Sequence, residues 1–275
     1  MAQRRNILSR FDLTGRGALV TGGSKGIGKN LALALSEAGA SVLIAARNVE
    51  DLKSAAEEIA AASGNRVETC RVDLADREST RSLAARAEEI LGGVDILVAN
   101  AAVERNEPVE SILDGSIDPV VETNFISSVV LTREFARGMK QRGWGRIIYI
   151  SSATVYKSAA DGHSIYSGTK AALHAFARTA AVELGGEGIT VNVVAAGTYY
   201  TDMAATHLDA LEPQAKEAAL ALFSQMNAVG RWGRTDEMEG AVLLLASDAG
   251  SYMTGSVITV DGGLSIRLTP NYLAG

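Results

Sequence analysis

The sequence predicts an α/β fold in which a doubly wound parallel sheet of about seven strands carries helices on both faces. Short runs rich in Val, Ile and Ala alternate along the 275 residues with longer segments rich in Ala, Leu, Glu and Arg. The short runs are apolar without polar alternation, which is typical of strands covered on both faces of a parallel sheet. Glycines follow several of the longer segments, where helices commonly stop.

This alternation predicts each element in chain order. The predicted strands cover residues 18–20, 41–45, 67–71, 96–99, 146–150, 190–194 and 257–260. The predicted helices cover residues 27–38, 49–62, 77–91, 120–140, 166–184 and 236–246. Neither a Pro/Ser-rich linker nor an internal repeat interrupts them, so we expect one domain over residues 1–275. A helical insertion at about 198–227 follows the sixth strand, where such folds place substrate-covering loops.

Composition and charge narrow the possible function classes. The net charge is −6 and the isoelectric point is near 5.2, so the chain lacks the basic character that favours nucleic-acid binding. No stretch approaches the ~18 apolar residues of a membrane span, and the N-terminus has no apolar run of signal-peptide length. The single cysteine, Cys70, cannot form an internal disulfide, which favours a reducing compartment. We therefore expect a cytoplasmic protein that binds neither nucleic acid nor membrane.

A glycine-rich turn, TGGSKGIG at residues 21–28, follows the first strand and leads directly into the first helix. Glycines permit positive φ angles and close backbone approach to a pyrophosphate, while the helix N-terminus supplies amide donors. An ordinary glycine-rich turn is the alternative, because such motifs produce false positives. The strand before the turn and the helix after it favour a Rossmann-like dinucleotide site.

The ends of the second and third strands bear on the choice between NAD and NADP. An acidic residue after the second strand binds the ribose of NAD, whereas an arginine accommodates the 2′-phosphate of NADP. The sequence there contains Arg47 and no nearby acid, and Lys25 in the glycine turn adds a second charge, so NADP(H) is favoured over NAD(H). The alternative for Arg47 alone is a solvated side chain. Asp73, after the third strand, either accepts from the adenine amino group or caps the helix starting near Asp76.

Tyr166 and Lys170 stand four residues apart at the start of a predicted helix, so their side chains share one face. Protonating a developing alkoxide needs an acid, and a phenol with its free pKa near ~10 works inefficiently near neutrality. We expect the Lys170 ammonium to lower the pKa of Tyr166. Ser152, after the fifth strand, would donate to the substrate oxygen, and Asn124, in an apolar helix, would hold a proton-relaying water. Taken alone, the Tyr–Lys pair is more often an exposed helical pair, and Ser152 alone is more often a turn residue or a helix cap.

Together these residues resemble the short-chain dehydrogenase/reductase family from Phe11 to about Leu264. The matching motifs are residues 21–28, Asp73, Asn100-Ala101-Ala102, Asn124, Ser152, Tyr166 with Lys170, Asn192, Gly197 with Thr201, and residues 260–263. The resemblance implies an NADP(H)-dependent oxidoreductase that transfers hydride between nicotinamide and a ketone or secondary alcohol. The chain length and the glycine spacing resemble those of the shorter branch of the family. Members of that branch are commonly tetramers, so we expect a homo-oligomer, either a tetramer or a dimer.

The resemblance also implies residue roles. Tyr166 is the general acid/base, Ser152 orients the carbonyl, and Lys170 binds the nicotinamide ribose as well as lowering the pKa of Tyr166. Asn124 supports a water-linked proton relay. The residues expected to contact the cofactor are Gly22, Ser24, Lys25, Gly26, Ile27, Gly28, Arg47, Asp73, Leu74, Asn100, Ala101, Ala102, Tyr166, Lys170, Gly197 and Thr201. No metal is expected.

Four features depart from the family pattern. Ala102 replaces the usual glycine after Asn100, and Ala196 replaces the usual proline before Gly197. Tyr166 follows Ser152 by fourteen residues rather than the common thirteen, which leaves Ser151 as an alternative catalytic serine. A tail at residues 265–275 either reaches a neighbouring subunit or is a frayed end.

The substrate side is expected in loops at the carboxyl ends of the strands. Its candidate residues are Val103, Val155, Tyr156, His163, Tyr199, Tyr200, Met203 and Trp232. They include no arginine cluster, which disfavours a polyanionic substrate and leaves acyl thioesters, sugar-acid ketones and cyclic ketones open. Two other functions also stay open: a cofactor-binding member without turnover, and an epimerase or dehydratase. The occupied catalytic positions disfavour the first, and the short chain disfavours the second.

Overall fold

A computed structural model of the chain describes residues 6–158 and 161–269. Its parallel strands form a seven-stranded sheet in the order β3-β2-β1-β4-β5-β6-β7. The strands are β1 (Gly17–Thr21), β2 (Ser41–Ala46), β3 (Val67–Arg71), β4 (Ile96–Ala99), β5 (Gly145–Ser152), β6 (Ile189–Ala196) and β7 (Val257–Val260). All seven strand predictions are confirmed, with ends that differ by at most two residues.

Helices cover both faces of the sheet. They are α1 (Gly26–Glu37), α2 (Val49–Ser63), α3 (Arg77–Leu91), α4 (Asp114–Val121), α5 (Ser127–Arg142), α6 (Ser164–Gly185), α7 (Asp202–Leu208), α8 (Pro213–Met226) and α9 (Glu239–Ala246). Gly64, Gly92 and Gly143 follow α2, α3 and α5 with φ angles of 75°, 67° and 64°, which explains why glycine ends these helices.

The predicted helix at residues 120–140 is interrupted. It begins earlier, as α4, passes through a π-helical turn at Glu122–Ile126, and continues as α5. The Ser127 amide donates to the Glu122 carbonyl five residues earlier, and the Ser127 hydroxyl donates to the Thr123 carbonyl at 2.7 Å. Such a bulge changes the direction in which the residues of the turn project, and it often occurs at functional sites. Here the turn contains Asn124.

The core lies in two layers, one on each face of the sheet, because successive residues of a strand point to opposite faces. Leu19, Leu97 and Ile147 pack on the face covered by α3, α5 and α6. Their neighbours Val20 and Val98 pack on the other face, with α1, α2 and α9. Because all seven strands are parallel, their carboxyl ends lie at one edge of the sheet, where ligand-binding loops are expected.

Candidate active site

The glycine turn is held against the end of β4. The Thr21 hydroxyl accepts from the backbone amides of Asn100 and Ala101, both at 3.1 Å. The Asn100 amide nitrogen donates to the Thr21 carbonyl at 3.0 Å and to the Gly22 carbonyl at 3.3 Å. A Cβ atom at Gly28 would stand 2.2 Å from the Gly22 carbonyl oxygen. Only glycine at position 28 allows the turn to close this tightly on α1.

One cavity of about 510 Å³ follows this turn along the carboxyl edge of the sheet. It brings together every predicted cofactor residue except one, namely Gly22, Ser24, Lys25, Gly26, Ile27, Gly28, Arg47, Asp73, Leu74, Asn100, Ala101, Ala102, Tyr166, Lys170 and Thr201. The exception is Gly197, whose amide donates to the Val260 carbonyl at 3.0 Å. A Cβ atom there would meet Asp261 at 2.4 Å, so glycine is required by chain packing.

The cavity has the features that a dinucleotide needs. The N-terminus of α1 opens into it, and Lys25 at the N-cap makes no side-chain cap, so the first-turn amides can receive a phosphate. Gly22 and Gly26 have positive φ angles of 65° and 52°. A Cβ atom at Gly22 would come within 2.9 Å of Asn100 and Ala101. The turn thus presents bare backbone at the cavity wall.

The cationic end of the cavity contains an acid that the sequence interpretation missed. Lys25 Nζ lies 2.9 Å from Asp51 and 3.9 Å from Asp202, and both acids line the cavity. The expectation that no acid stands near the end of β2 is therefore wrong for Asp51, which the first turn of α2 brings back to it. Arg47 is exposed beside it and lines the same cavity. A 2′-phosphate would meet Arg47 directly and would compete with Asp51 for Lys25.

Asp73 does not cap α3, so the alternative role that the sequence suggested for it is wrong. The N-cap of α3 is Asp76, whose carboxylate accepts from the Glu78 amide at 2.9 Å. Asp73 instead closes the preceding loop, because its Oδ1 accepts from the Ala75 amide at 3.1 Å and its own amide donates to Ser79 at 3.0 Å. Its carboxylate borders the cavity and keeps capacity to accept from an adenine amino group.

Tyr166 and Lys170 line the cavity, and Ser152 lies beside Tyr166. The phenol of Tyr166 is hydrogen-bonded to the Ser152 side chain. Lys170 Nζ lies 5.7 Å from the centre of the Tyr166 ring and donates to the Ile150 carbonyl at 2.8 Å. Ser151 pairs instead with His174 at 2.8 Å. This geometry favours Ser152 over Ser151 as the serine that acts with Tyr166.

The expected direction of the Tyr166 pKa is wrong in this structure. Burial raises the pKa of Tyr166 above its usual value, the Glu104 carboxylate raises it further, and the Ser152 hydrogen bond opposes them. Burial also lowers the pKa of Lys170 to about 8, so a smaller fraction of Lys170 side chains carries a positive charge near neutral pH. The phenol therefore carries a proton near neutral pH, as a proton donor must, although the raised pKa makes Tyr166 a weaker acid than a free tyrosine.

Asn124 is buried in the π-helical turn and uses its amide to hold the loop after β4. Its Oδ1 accepts from the Val103 amide and its Nδ2 donates to the Val103 carbonyl, both at 2.8 Å. Nδ2 also donates to Thr169 of α6 at 3.2 Å. The buried Asn124 amide therefore forms its hydrogen bonds with the loop after β4 and with α6. A water-relay role for Asn124 stays a prediction.

The predicted substrate-side residues divide into packing residues and accessible ones. Tyr199 is buried and donates to the Val260 carbonyl at 2.8 Å, and Trp232 donates to the Leu220 carbonyl at 3.1 Å. Tyr200 is exposed and packs on the Trp232 ring, while Tyr156 is exposed and packs on His174. Val103 lines the cavity, Val155 ends the short helical turn Ala153–Val155, and His163 packs on Tyr166. The Met203 side chain lies outside the described residues.

Sequence reasoning missed Glu104, which follows Val103 on the loop after β4 and whose charge acts on Tyr166. Its only sequence signal was an acidic residue close after Asn100-Ala101-Ala102. Sequence reasoning also left the tail undecided. Arg267 accepts at its carbonyl from Lys157 Nζ and donates to the Asn227 carbonyl at 3.0 Å, so this part of the tail joins two substrate-side segments of its own chain. Residues 270–275 lie outside the described residues.

The structure describes residues 6–158 and 161–269. Within these ranges, no cluster of three or more His, Cys, Asp or Glu side chains has an arrangement that could bind a metal ion. No helix in the same part of the chain combines the length and the apolar character needed to cross a membrane.

We predict that Lys170→Met changes the pH dependence of stability. The pKa of Lys170 is about 8 in the fold and about 10.5 when unfolded, so the wild-type free energy of unfolding gains from this group as pH rises between these values. The free energy of unfolding of the variant minus that of wild type, measured with urea, should fall by about 3 kcal/mol from pH 7 to 10.5. The lost bond to the Ile150 carbonyl shifts the difference equally at every pH.

The matched control for this experiment is Lys140→Met, because Lys140 is an exposed lysine in the last turn of α5. Its difference from wild type should stay constant across the same pH range. A Lys170→Met difference that is also constant would show that the Lys170 ammonium is not desolvated.

Comparison with known proteins agrees with this geometry. The family described as "Enoyl-(Acyl carrier protein) reductase" matches residues 22–265. The chain is 37% identical over 260 residues to the rhamnolipids biosynthesis 3-oxoacyl-(acyl-carrier-protein) reductase of Pseudomonas aeruginosa, covering 93% of this chain and 98% of that protein. It is 33% identical over 258 residues to the gluconate 5-dehydrogenase of Gluconobacter oxydans, covering 94% and 98%.

A solved structure, the Pseudomonas aeruginosa RhlG/NADP active-site complex, superimposes with a TM-score of 0.84 at 36% identity, covering 93% of this chain and 98% of that chain. The match therefore extends over almost the whole chain in sequence and in fold, and the range of the family match contains the positions of Ser152, Tyr166 and Lys170. The chain belongs to the short-chain dehydrogenase/reductase family of oxidoreductases.

Proposed function

We propose that this protein is an NADP(H)-dependent carbonyl reductase that interconverts a ketone and a secondary alcohol. The observation that carries the proposal is that Tyr166 and Lys170 line the cavity that begins at the glycine turn, with Ser152 hydrogen-bonded to the Tyr166 phenol. A nicotinamide cofactor bound there supplies or accepts the hydride. The chain must then supply a proton, orient the carbonyl and exclude water.

Tyr166 is the proposed proton donor. Its phenol carries a proton near neutral pH and can give it to the carbonyl oxygen during reduction, although burial and Glu104 raise its pKa and so weaken it as an acid. Ser152 donates to the same oxygen and fixes its orientation. The Lys170 ammonium stabilises the phenolate that proton donation leaves, and it holds the ribose of the cofactor. Asn124 keeps the loop after β4 in place beside them.

The cofactor proposal rests on the residues at the far end of the cavity. Arg47 and Lys25 both line the cavity there, Lys25 in an ion pair with Asp51, and a guanidinium can bind phosphate bidentately. The NADP complex of the Pseudomonas aeruginosa relative supports the same choice. The backbone of the glycine turn and the first turn of α1 would hold the pyrophosphate, with Asp73 on the adenine side.

Exposed apolar side chains support a homo-oligomer. Val182 on α6 is 84% exposed, and Tyr252, Ile266 and Leu268 are also fully or largely exposed. Large apolar side chains at a surface are typical of subunit contacts where they form a continuous patch. We therefore propose a tetramer or dimer of this chain. We also propose that it acts in the cytoplasm, which the single cysteine supports; recovery of the protein from a secreted or periplasmic fraction would contradict this.

We predict that Tyr166→Phe lowers kcat for NADPH-dependent ketone reduction by roughly 10²–10⁴-fold, because the variant has no proton donor. NADPH oxidation is followed against a panel of ketones, sugar acids and acyl thioesters, and NADPH binding is measured by fluorescence. Binding should change less than about threefold, since the phenyl ring keeps the packing.

Tyr252→Phe is the control, because this exposed tyrosine loses the same hydroxyl far from the cavity. Wild-type reduction rates in Tyr166→Phe, across all active substrates, would refute the assigned chemistry. Stoichiometric NADPH binding by the wild type with no oxidation over the panel would favour a non-catalytic member instead.

Arg47→Ala should weaken NADPH binding by about tenfold or more and NADH binding by less than about threefold, because only NADPH carries the 2′-phosphate. Dissociation constants for both cofactors are measured by fluorescence titration. Arg66→Ala is the control, because Arg66 is exposed and pairs with Glu68 outside the cavity. Equal losses for both cofactors, or a wild-type preference for NADH, would overturn the proposed role of Arg47.

Val182→Glu should reduce the molar mass of the protein in solution, because a charge on this face of α6 cannot be buried between subunits without a partner. Light scattering coupled to gel filtration measures the mass. Val109→Glu, which changes another exposed valine in the short turn Val109–Ser111, should leave it unchanged. A monomeric wild type would contradict the proposed assembly.

A further inference from the structure

The last three residues of β5 each contact α6. The side chain of Ser152 is hydrogen-bonded to the Tyr166 phenol, and the carbonyl of Ile150 accepts from Lys170 Nζ at 2.8 Å. Tyr166 and Lys170 lie one helical turn apart on the face of α6 that meets β5. The residue one turn further along the same face is His174.

His174 contacts Ser151, the residue of β5 that lies between Ile150 and Ser152. His174 Nε2 lies 2.8 Å from Ser151 Oγ, and Ser151 Oγ donates to the Lys170 carbonyl at 3.3 Å. His174, Ser151 and Lys170 are all buried. Ser151 also lines the cavity that begins at the glycine turn. The His174 imidazole is therefore linked, through one hydroxyl group, to the backbone of the turn that presents Lys170.

These hydrogen bonds determine which nitrogen of His174 carries a proton. A hydroxyl group has one hydrogen and a carbonyl oxygen only accepts, so the Ser151 hydrogen goes to the Lys170 carbonyl. In the contact with His174, Ser151 is then the acceptor and Nε2 is the donor. Burial and the charge of Arg178 lower the pKa of His174, so the ring is neutral near neutral pH and carries its proton on Nε2.

The donor on His174 restricts the Ser151 side chain to one orientation. A serine side chain has several staggered rotamers, and the bond from Nε2 favours the rotamer that directs the hydroxyl at the Lys170 carbonyl. β5 then holds Lys170 both at its Nζ, through Ile150, and at its carbonyl, through Ser151. The next residue of β5 is Ser152. The contact thus fixes the turn of α6 that presents Lys170 against the strand that presents Ser152.

We propose that His174 is a positioning residue for the reaction. Through Ser151 it holds Lys170 and Tyr166 in register with Ser152, and so sets the geometry in which the proton is transferred. This inference rests on the proposed function, because it takes Tyr166, Lys170 and Ser152 as the groups that act at the carbonyl. His174 does not line the cavity, so its effect passes through Ser151.

The first test compares His174→Leu with His174→Gln. The leucine variant removes the Nε2 donor and keeps a side chain of similar size. Its kcat for NADPH-dependent ketone reduction should fall by about tenfold or more, while KM for the ketone changes less than about threefold, because the geometry of the reacting groups is lost rather than ketone binding. A glutamine amide can donate to Ser151 in place of Nε2, so His174→Gln should keep kcat within about threefold of wild type.

Ser151→Ala tests whether the effect of His174 passes through Ser151, and it keeps the inference testable if His174→Leu does not fold. Its kcat should also fall by about tenfold. Adding His174→Leu to Ser151→Ala should lower kcat by less than about a further threefold, because the two side chains act through one contact.

Phe176→Leu is the matched control on the same helix. Phe176 lies two residues beyond His174 and packs on the rings of Phe125 and Tyr149. The smaller side chain loosens this packing, so the urea midpoint of unfolding should fall. Its kcat should stay within about twofold of wild type, because the contact of α6 with the end of β5 is intact.

The outcomes distinguish this inference from the proposed function. Four results would each overturn the inference and leave the proposed function standing: a kcat near that of wild type in His174→Leu or in Ser151→Ala, an equal loss of kcat in His174→Leu and His174→Gln, independent losses that multiply in the double variant, or a loss as large in Phe176→Leu. Absence of NADPH oxidation by the wild type with every ketone, sugar acid and acyl thioester would overturn the proposed function, and the inference with it.

Discussion

The parallel pairing of β1 with β4, and the polar tie across their carboxyl ends, is the constraint on which the site depends. These strands are neighbours in the sheet although two other strands separate them in sequence, so the chain leaves them toward opposite sides and a crevice opens between. Thr21 and Asn100 hold the two exits together with four hydrogen bonds. The Asn100 side chain donates to two carbonyls of the glycine turn. The tight turn would otherwise leave these carbonyls buried and unpaired.

The same crevice determines where the chemistry lies. Asn124, in the π-helical turn, forms two hydrogen bonds with the backbone of Val103 in the loop after β4. Its Nδ2 also donates to Thr169 on α6. One amide side chain therefore relates the end of β4 to the helix that presents Tyr166. A buried Asn in an ordinary helix would compete with the backbone ladder, and the widened turn lets its amide bind these partners instead.

Burial at the site has a stability cost and a chemical use. Lys170 is enclosed, with its ammonium donating to the Ile150 carbonyl, and the desolvation that lowers its pKa to about 8 also opposes folding near neutrality. The same low-polarity surroundings raise the pKa of Tyr166, with Glu104 adding to the effect. The phenol has a proton to donate but is a weak acid in these surroundings, so the charge of Lys170 matters most for stabilising the phenolate that donation leaves. Enzymes commonly accept such costs at the site where chemistry occurs.

The sequence alone determined the features that depend on neighbouring residues in the chain. Buried strands are apolar runs, the glycine turn is a contiguous motif, and Tyr166 with Lys170 shares a helix face at a spacing of four. The seven strands and the family followed from these patterns. Only the tertiary structure decided that Asp51 pairs with Lys25, that the His163 ring packs on Tyr166, and that burial and the Glu104 charge raise the pKa of the phenol. These depend on distances between segments far apart in sequence and on the removal of water, neither of which a local pattern encodes.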